Sequence, residues 1–144
     1  PVDAKTHNYL NGILARVELR DGDRAPRADE ALMLDADGYI AEGTTSNVFF
    51  VDDGTVQTPR EGTILPGITR STVLELADEL DVPVETGRHE PRALRESDEA
   101  FVTNTTWELR PIAQCDGESI GGGPVTERLR RAYDERVEAQ CYRG

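Results

Sequence analysis

The sequence predicts a single α+β domain, because strand-like apolar segments outnumber helical ones and are partly joined by hairpins. Two Asp-Gly pairs, at 53–54 and 116–117, lie between β-rich runs and give the strongest short-range signal for a hairpin. Segments 67–80 and 125–140 instead repeat apolar residues at helical spacing. Hairpin connections disfavour a doubly wound parallel sheet. The 144 residues suffice for one ordinary domain with a buried core.

The first predicted element is an amphipathic helix over residues 8–20, since the apolar residues there recur at helical spacing. The later elements are predicted from the spacing of apolar residues and from turn-forming residues between them. They are strands over 30–35, 82–87 and 99–104, hairpins over 46–59 and 110–121, helices over 67–80 and 125–140, and a helical turn over 91–97.

The charge of the chain excludes some classes of partner. The formal net charge is −12 and the isoelectric point is near 4.5. Nucleic acids and anionic membrane surfaces attract clustered Lys and Arg, so we expect neither as a partner. No apolar run reaches the roughly 18–20 residues of a membrane span, and no signal-peptide pattern is present. The 28 acidic residues and the near-absence of lysine together predict adaptation to high salt.

The cysteines and histidines point to neither a disulfide nor a metal site. Cys115 and Cys141 have no framework spacing and form no Cys-x-x-Cys motif, which predicts a reducing, cytoplasmic location. His7 and His89 stand alone in the sequence, whereas zinc and iron sites need three or four ligands.

Lys5 is the only lysine, and every other basic residue is arginine. A guanidinium stays protonated at ordinary pH, whereas a desolvated lysine amine can lose its proton and act as a nucleophile or base. Lys5 is therefore a candidate catalytic residue. The alternative is that one lysine is present by chance.

Three further segments place polar groups where a strand ends or a helix begins. Residues 39–47 carry Glu42 after a strand-like run, and residues 63–71 open a helix after Pro66-Gly67. The free N–H groups of that helix, with a nearby hydroxyl, suit a phosphate. Residues 101–112 run from a strand into a Thr- and Asn-rich turn. The structural alternatives are an exposed carboxylate, a plain helix N-cap and a polar sheet edge, in that order.

The order and wording of these segments resemble the fold-type IV pyridoxal-phosphate enzymes, the class IV aminotransferases. The resemblance is carried by KTHNYL (5–10), EGTTSNVFFV (42–51), TILPGITR (63–70) and FVTNTTWELRPI (101–112), and it spans roughly residues 1–120. It implies the larger C-terminal domain of this fold, with a mixed, barrel-like sheet and flanking helices. Residues 1–144 would form that domain, and a smaller N-terminal domain would be absent from this chain.

The resemblance also implies roles for individual residues, with pyridoxal 5′-phosphate as cofactor. Lys5 would form a Schiff base with the cofactor and move a proton between the substrate Cα and the cofactor. The Glu42 carboxylate would keep the pyridine nitrogen protonated, and Tyr9 would lie near the phenolic oxygen. The remaining implied contacts are with the ring face (Leu65), with the phosphate (Gly67, Ile68, Thr69 and Thr105) and with the substrate carboxylate (Thr106).

The implied activity is transfer of an amino group between an amino acid and a 2-oxo acid, by a homodimer. The segments EGTTSN and TNTTWELRP look closer to the lyase and D-amino-acid branches than to typical branched-chain enzymes. Aminodeoxychorismate lyase, which releases p-aminobenzoate and pyruvate, therefore stays open as an alternative. An alternative of another class is a cofactor-free, acidic interaction domain.

Overall fold

The computed structural model describes residues 14–17, 30–43, 46–60, 67–115 and 117–143. These residues form nine strands and three helices. The strands are β1 (Leu14–Val17), β2 (Glu30–Leu34), β3 (Ile40–Gly43), β4 (Asn47–Asp52), β5 (Thr55–Pro59), β6 (Val84–Gly87), β7 (Glu99–Asn104), β8 (Glu108–Cys115) and β9 (Glu118–Ser119). The helices are α1 (Ile68–Glu79), α2 (Pro91–Arg95) and α3 (Pro124–Arg143).

The strands lie in one sheet in the order β3-β2-β1-β8-β7-β4-β5-β6, and β9 pairs with β8. The β5–β6 pair is parallel, and the other ladders are antiparallel. The predicted α+β class and mixed sheet are confirmed. The expected barrel-like closure is not reached, since no ladder among the described strands joins β3 to β6. A backbone hydrogen bond from Ile40 N–H to the His89 carbonyl (2.8 Å) crosses that gap.

Both faces of β4 are buried, which explains its uninterrupted apolar run. Val48 and Phe50 belong to a core cluster that also includes Leu94 of α2. Phe49 and Val51 face the opposite side, where residues of α1 and α3 complete a second cluster. The Phe49 ring stacks on the Phe101 ring of β7, with 4.9 Å between centroids. The sheet is therefore a central layer whose ends, rather than its faces, are available for a site.

The predicted helix over residues 8–20 is wrong at residues 14–17, the part of this segment that the structure describes. Leu14–Val17 forms β1, which pairs with both β2 and β8. The rest of that segment lies outside the described residues. Ala15, Val17 and Leu19 alternate with charged residues, a period-two signal that competes with the helical one. Pairing with β2 and β8 favours a strand over a helix here, because tertiary pairing overrides weak local propensity.

The remaining predicted elements are confirmed, with boundaries that differ by a few residues. The Asp53-Gly54 hairpin has φ values of 50° and 80°, the positive pair that a two-residue hairpin turn requires. The hairpin predicted around residues 116–117 is formed by β8 and β9.

Candidate functional site

The three polar segments that carry the resemblance meet at one edge of the sheet. Gly43 N–H, at the end of β3, donates to the Ser46 carbonyl just before β4 (2.8 Å). Asn47, at the start of β4, lies opposite Thr103, near the end of β7. Gly67, which precedes α1, packs against Asn47. We call this place the site edge and define it by Asn47, Gly67 and Thr103, with Glu42 preceding Gly43 on β3.

Glu42 is buried, with 5% of its surface exposed. It lies on β3 opposite Met33 of β2, so the alternative of an exposed carboxylate at a turn is wrong. Burying a carboxylate is costly unless charged or hydrogen-bonding groups compensate it. A buried acid beside an otherwise polar edge is therefore a candidate functional group.

The N-terminus of α1 is suited to an anion. Gly67 is its N-cap, in an extended conformation, and it offers no side chain to cap the helix. The first turn also contains no acidic residue. Its N–H groups have no partner within the helix, and they lie at the positive end of the helix dipole. Thr69 is buried in this turn, whereas Ile68 is 81% exposed.

Asn47 explains why residue 67 is glycine. A Cβ atom at position 67 would lie 2.6 Å from Asn47 Oδ1, well inside van der Waals contact. The absence of a side chain thus lets the start of β4 approach the start of α1. Gly67 was predicted as a site residue, but Asn47 was not. Nothing local in the sequence indicates that the two residues touch.

Residues with hydroxyl groups lie at the end of β7, next to the site edge. Thr103 is fully buried, and its hydroxyl has no hydrogen-bond partner among the described residues. Because β7 is an interior strand between β4 and β8, the alternative that Thr103 lies on a polar edge strand is wrong. Asn104 Oδ1 accepts from Trp107 N–H (2.6 Å) and closes the turn. Thr105 and Thr106 are exposed in that turn.

Arg70, which follows Thr69 in α1, is a further residue that the sequence did not single out. Its side chain is fully buried, and Nη2 donates to the Pro59 carbonyl at the end of β5 (3.0 Å). A buried guanidinium adds positive charge beside the first turn of α1. The sequence does contain this arginine in the motif LPGITR. Helical spacing alone, however, does not show whether its position is buried or exposed.

The structure places the described site residues on three elements: Gly67, Ile68 and Thr69 at the start of α1, Thr105 and Thr106 in the turn after β7, and Glu42 on β3. Lys5, Tyr9 and Leu65 lie outside the described residues. Within the part of the chain that the structure describes, no group of three or more His, Cys, Asp or Glu side chains could hold a metal ion. None of the described helices is long and apolar enough to cross a membrane.

The residues present fit an anionic, ring-nitrogen cofactor at this edge. The uncapped first turn of α1 suits a phosphate, and the Thr103 hydroxyl is a buried polar group that lacks a partner among the described residues. The buried Glu42 suits a cationic ring nitrogen. These features make the place a candidate site for a phosphate-bearing cofactor.

Comparison with known proteins identifies the family: the chain belongs to the class IV amino-transferases, whose family model matches residues 1–115. It is 42% identical over 135 residues to a branched-chain-amino-acid aminotransferase of Pseudomonas aeruginosa. It is 35% identical over 147 residues to a putative branched-chain-amino-acid aminotransferase of Methanocaldococcus jannaschii. The resemblance stated from the motifs is therefore confirmed.

Solved structures agree in fold. The T.th. branched-chain amino acid aminotransferase with pyridoxamine 5′-phosphate superimposes with a TM-score of 0.73 and 42% identity. That match covers 76% of this chain and 38% of the other. An Escherichia coli branched-chain amino acid aminotransferase gives a TM-score of 0.71 and 38% identity, covering 74% of this chain and 37% of the other.

The matches cover most of this chain but less than half of each relative. The match to the Pseudomonas protein covers 92% of this chain but 43% of that protein. The match to the Methanocaldococcus protein covers 94% of this chain and 49% of that protein. The chain therefore spans less than half the length of these relatives.

Proposed function

We propose that the protein is a pyridoxal-phosphate-dependent class IV aminotransferase that moves an amino group between a branched-chain amino acid and a 2-oxo acid. The observation that supports the proposal is the N-terminus of α1, which has no side-chain cap from its N-cap residue and packs against Asn47, opposite the buried Thr103. Glu42 is a buried acid on β3 of the same sheet. The relatives favour the branched-chain substrates, since their names refer to branched-chain amino acids. This preference differs from the lyase and D-amino-acid branches that two motifs resembled.

The phosphate would be held at the start of α1. Ile68 and Thr69 N–H groups would donate to it, Gly67 would give it room, and the Thr105 hydroxyl would donate from the neighbouring turn. The buried Arg70 would offset part of its charge from behind the helix turn. These groups lie in α1, at its N-cap, or in the turn after β7 that a hydrogen bond closes. The proposed phosphate site is therefore preorganised.

The ring and the reacting atoms would be handled by other residues. The bound cofactor supplies an electron sink for the electron pair on the amino acid Cα. Glu42 would keep the ring nitrogen protonated, because its carboxylate favours the adjacent positive charge. Lys5 would hold the cofactor covalently through Nζ, and its freed amine would then carry the Cα proton.

The remaining contacts are proposed from the family pattern. Tyr9 would lie near the phenolic oxygen and Leu65 on the ring face. Thr106 N–H would bind the substrate carboxylate. A lysine amine can both form and release the covalent link at neutral pH, whereas an arginine can do neither. This difference explains why a chain that otherwise uses arginine keeps Lys5.

We further propose that the active protein is a cytoplasmic homodimer in which this domain acts with a smaller N-terminal domain. The proposal rests on the family resemblance and on the two cysteines without framework spacing. Light scattering of the full protein should give twice the subunit mass. A monomer with full activity would contradict the dimer.

High-salt adaptation is proposed on composition alone. A net charge of −12 destabilises the compact state through self-repulsion in dilute buffer. The thermal midpoint should keep rising in potassium chloride beyond the roughly 0.15–1 M range over which the Debye length shrinks to a few ångströms. A midpoint that stays flat up to molar salt would indicate an ordinary acidic protein.

The decisive assay compares substrates side by side on the full protein loaded with pyridoxal phosphate. One arm offers valine, leucine and isoleucine with 2-oxoglutarate, a second offers D-alanine, and a third offers aminodeoxychorismate. We expect turnover in the first arm and none in a Lys5→Arg control. Release of p-aminobenzoate in the third arm, with no transfer in the first, would identify the lyase instead. No colour change with pyridoxal phosphate and no turnover would indicate an interaction domain.

A further inference from the structure

Glu42 lies on a strand that has a regular neighbour on one side only. β3 ends the order of strands, and its ladder is with β2. That ladder shifts register between Met33 and Leu34. A short edge strand with an irregular ladder does not by itself hold a buried carboxylate in a fixed direction. Other contacts must therefore fix the position of β3.

Gly43 N–H, at the end of β3, is bonded to the Ser46 carbonyl. At the start of β3, the contacts come from the residues between β6 and α2. The His89 carbonyl accepts from Ile40 N–H (2.8 Å), two residues before Glu42. Arg88 Nη2 lies 2.8 Å from Asp37 Oδ2, in the turn before β3. The Arg88 guanidinium carbon also lies 4.7 Å from the centroid of the Tyr39 ring. We call Arg88 and His89 with their partners Asp37, Tyr39 and Ile40 the seam.

His89 is itself anchored to the interior of the sheet. Its imidazole meets the Phe50 ring edge-on, with centroids 5.1 Å apart and an interplanar angle of 86°. His89 follows β6, which pairs in parallel with β5 up to Pro59 and Gly87, and the Thr58 hydroxyl of β5 is fixed by the Val48 carbonyl (2.8 Å). The carbonyl that receives Ile40 N–H is therefore tied to both β4 and β5.

Arg88 contributes a second and different restraint. A planar guanidinium can pair with a carboxylate and stack on an aromatic ring at the same time, which a lysine ammonium cannot reproduce. It joins the β2–β3 turn to the segment after β6, across the gap that the sheet leaves open. The turn is ordered from its other side by Asp35 Oδ1, which accepts from Tyr39 N–H (3.0 Å).

We infer that Arg88 and His89 are positioning residues, which fix β3 across the open side of the sheet and thereby aim the Glu42 carboxylate. This inference rests on the proposed function, in which Glu42 meets the ring nitrogen of the cofactor. Neither residue touches the cofactor in this account. Their effect would reach the reaction through the backbone of β3, and a small displacement of a catalytic group is enough to slow a reaction markedly.

The test uses the full protein loaded with pyridoxal phosphate and the variants Arg88→Ala, Arg88→Lys and Arg88→Ala/His89→Phe. Phenylalanine keeps the edge contact with Phe50 and removes the polar nitrogens of the imidazole ring. Arg92→Ala is the matched control, because the Arg92–Glu96 pair is a neighbouring exposed ion pair on α2 that does not reach β3. Three readouts are hydrogen exchange at residues 40–43, kcat and KM for the amino acid, and the absorption spectrum of the bound cofactor.

We expect faster amide exchange at Ile40 in Arg88→Ala, more so in the double variant, and no change in Arg92→Ala. The kcat value should fall about 10-fold to 100-fold in the double variant, while KM stays within about 2-fold because the phosphate and carboxylate contacts lie elsewhere. Its cofactor spectrum should shift in the same direction as that of Glu42→Gln. Arg88→Lys should recover part of kcat, since it keeps the pair with Asp37.

Unchanged exchange at residues 40–43 in Arg88→Ala would overturn the inference, even if the double variant fails to fold. Faster exchange with unchanged kcat and spectrum would also overturn it, provided that Glu42→Gln is impaired. Faster exchange together with a fully active Glu42→Gln would instead refute the role of Glu42 in the proposed function.

Discussion

The two longer helices, α1 and α3, begin near opposite ends of β7. Different groups lie at their N-termini. At α3, the buried Glu99 carboxylate accepts from Val125 N–H (3.2 Å), Thr126 N–H (2.7 Å) and the Thr126 hydroxyl (2.7 Å). At α1, the N-cap Gly67 offers no side chain and the first turn contains no acidic residue, and the nearby Thr103 hydroxyl has no partner among the described residues. One helix has its anion built into the fold, and at the other we propose that a ligand supplies it.

The glycines beside the two helices sharpen this contrast. A Cβ at Gly123 would lie 2.7 Å from Glu99 Cδ, so glycine there admits the protein's own carboxylate. A Cβ at Gly67 would lie 2.6 Å from Asn47 Oδ1, so glycine there brings β4 and α1 together. The first arrangement stabilises the fold, whereas the second leaves the helix without a described side-chain cap. The start of α1, which lacks an acidic residue and a side-chain cap from its N-cap residue, is therefore the candidate anion position.

The largest expected effect is that of Glu42→Gln on turnover. Glutamine keeps the size of the side chain and removes the charge that would hold the ring nitrogen protonated. Turnover should fall about 100-fold or more, as for loss of a preorganised electrostatic partner, while the cofactor still binds. Steady-state kinetics of the full protein measure this, with the exposed Glu96→Gln as control. Near-normal turnover would mean that Glu42 is not the ring-nitrogen partner.

Glu99→Ala should affect stability rather than function. It removes three hydrogen bonds to a carboxylate at the start of α3, and the expected loss is about 2–3 kcal/mol of unfolding free energy. Urea unfolding measures it, and cofactor affinity serves as the control readout. A loss of cofactor affinity as large as the loss of stability would show that the two helix N-termini are coupled rather than distinct.

Gly67→Ala should affect both properties, each to a smaller extent. The added methyl group must displace Asn47 or the start of α1, at a cost of about 1–3 kcal/mol. Cofactor affinity should fall about 10-fold, since the phosphate donors move with the helix. Gly87→Ala is the control, because its nearest atom would be 4.0 Å from the new Cβ. Recovery of affinity in Gly67→Ala/Asn47→Ala would identify the clash as the cause, and its absence would contradict this account.

The smallest expected effect is a pH dependence of opposite sign at His89 and Asp52. Burial lowers the pKa of His89 below its ordinary 6.5, and the Thr58 backbone and Glu85 only partly oppose the shift. The unfolded chain then binds the proton more readily, so this contribution to stability is lost as the pH falls from 6.5 toward the lowered pKa. Burial and nearby Asp98, Asp53 and Glu96 raise the pKa of Asp52 above 3.8, so stability there is gained on acidification.

Urea unfolding between pH 7 and pH 4 measures both effects. His89→Gln should flatten the dependence just below pH 6.5, and Asp52→Asn should remove the gain at lower pH. An unchanged pH profile in His89→Gln would show that the imidazole titrates normally.

Much of the fold followed from the sequence because most elements carry a strong local signal. The Asp53-Gly54 turn and the apolar spacing of α1 each specify their structure with few competing possibilities. Leu14–Val17 failed because helical and alternating patterns coexist there, and pairing with β2 and β8 decided between them. Long-range partners of this kind leave no mark in a short window of sequence.

The candidate site was predictable only in part, for the same reason. Glu42 and Gly67 belong to recognisable motifs, but the meeting of Gly67 with Asn47 depends on how α1 packs against β4. Arg70 and His89 were missed since each is a polar residue whose burial is set by the tertiary fold. Motifs thus indicated which residues matter, and the packing showed which residues hold them in place.

The central claim is that the N-terminus of α1 is open to an anionic cofactor whereas that of α3 is already filled. The most direct measurement is a titration of the full protein with pyridoxal phosphate, followed by amide chemical shifts in nuclear magnetic resonance. We predict that the N–H resonances of Ile68 and Thr69 move strongly, while those of Val125 and Thr126 stay in place. Unmoved resonances at Ile68 and Thr69 in a protein that binds the cofactor would contradict the account.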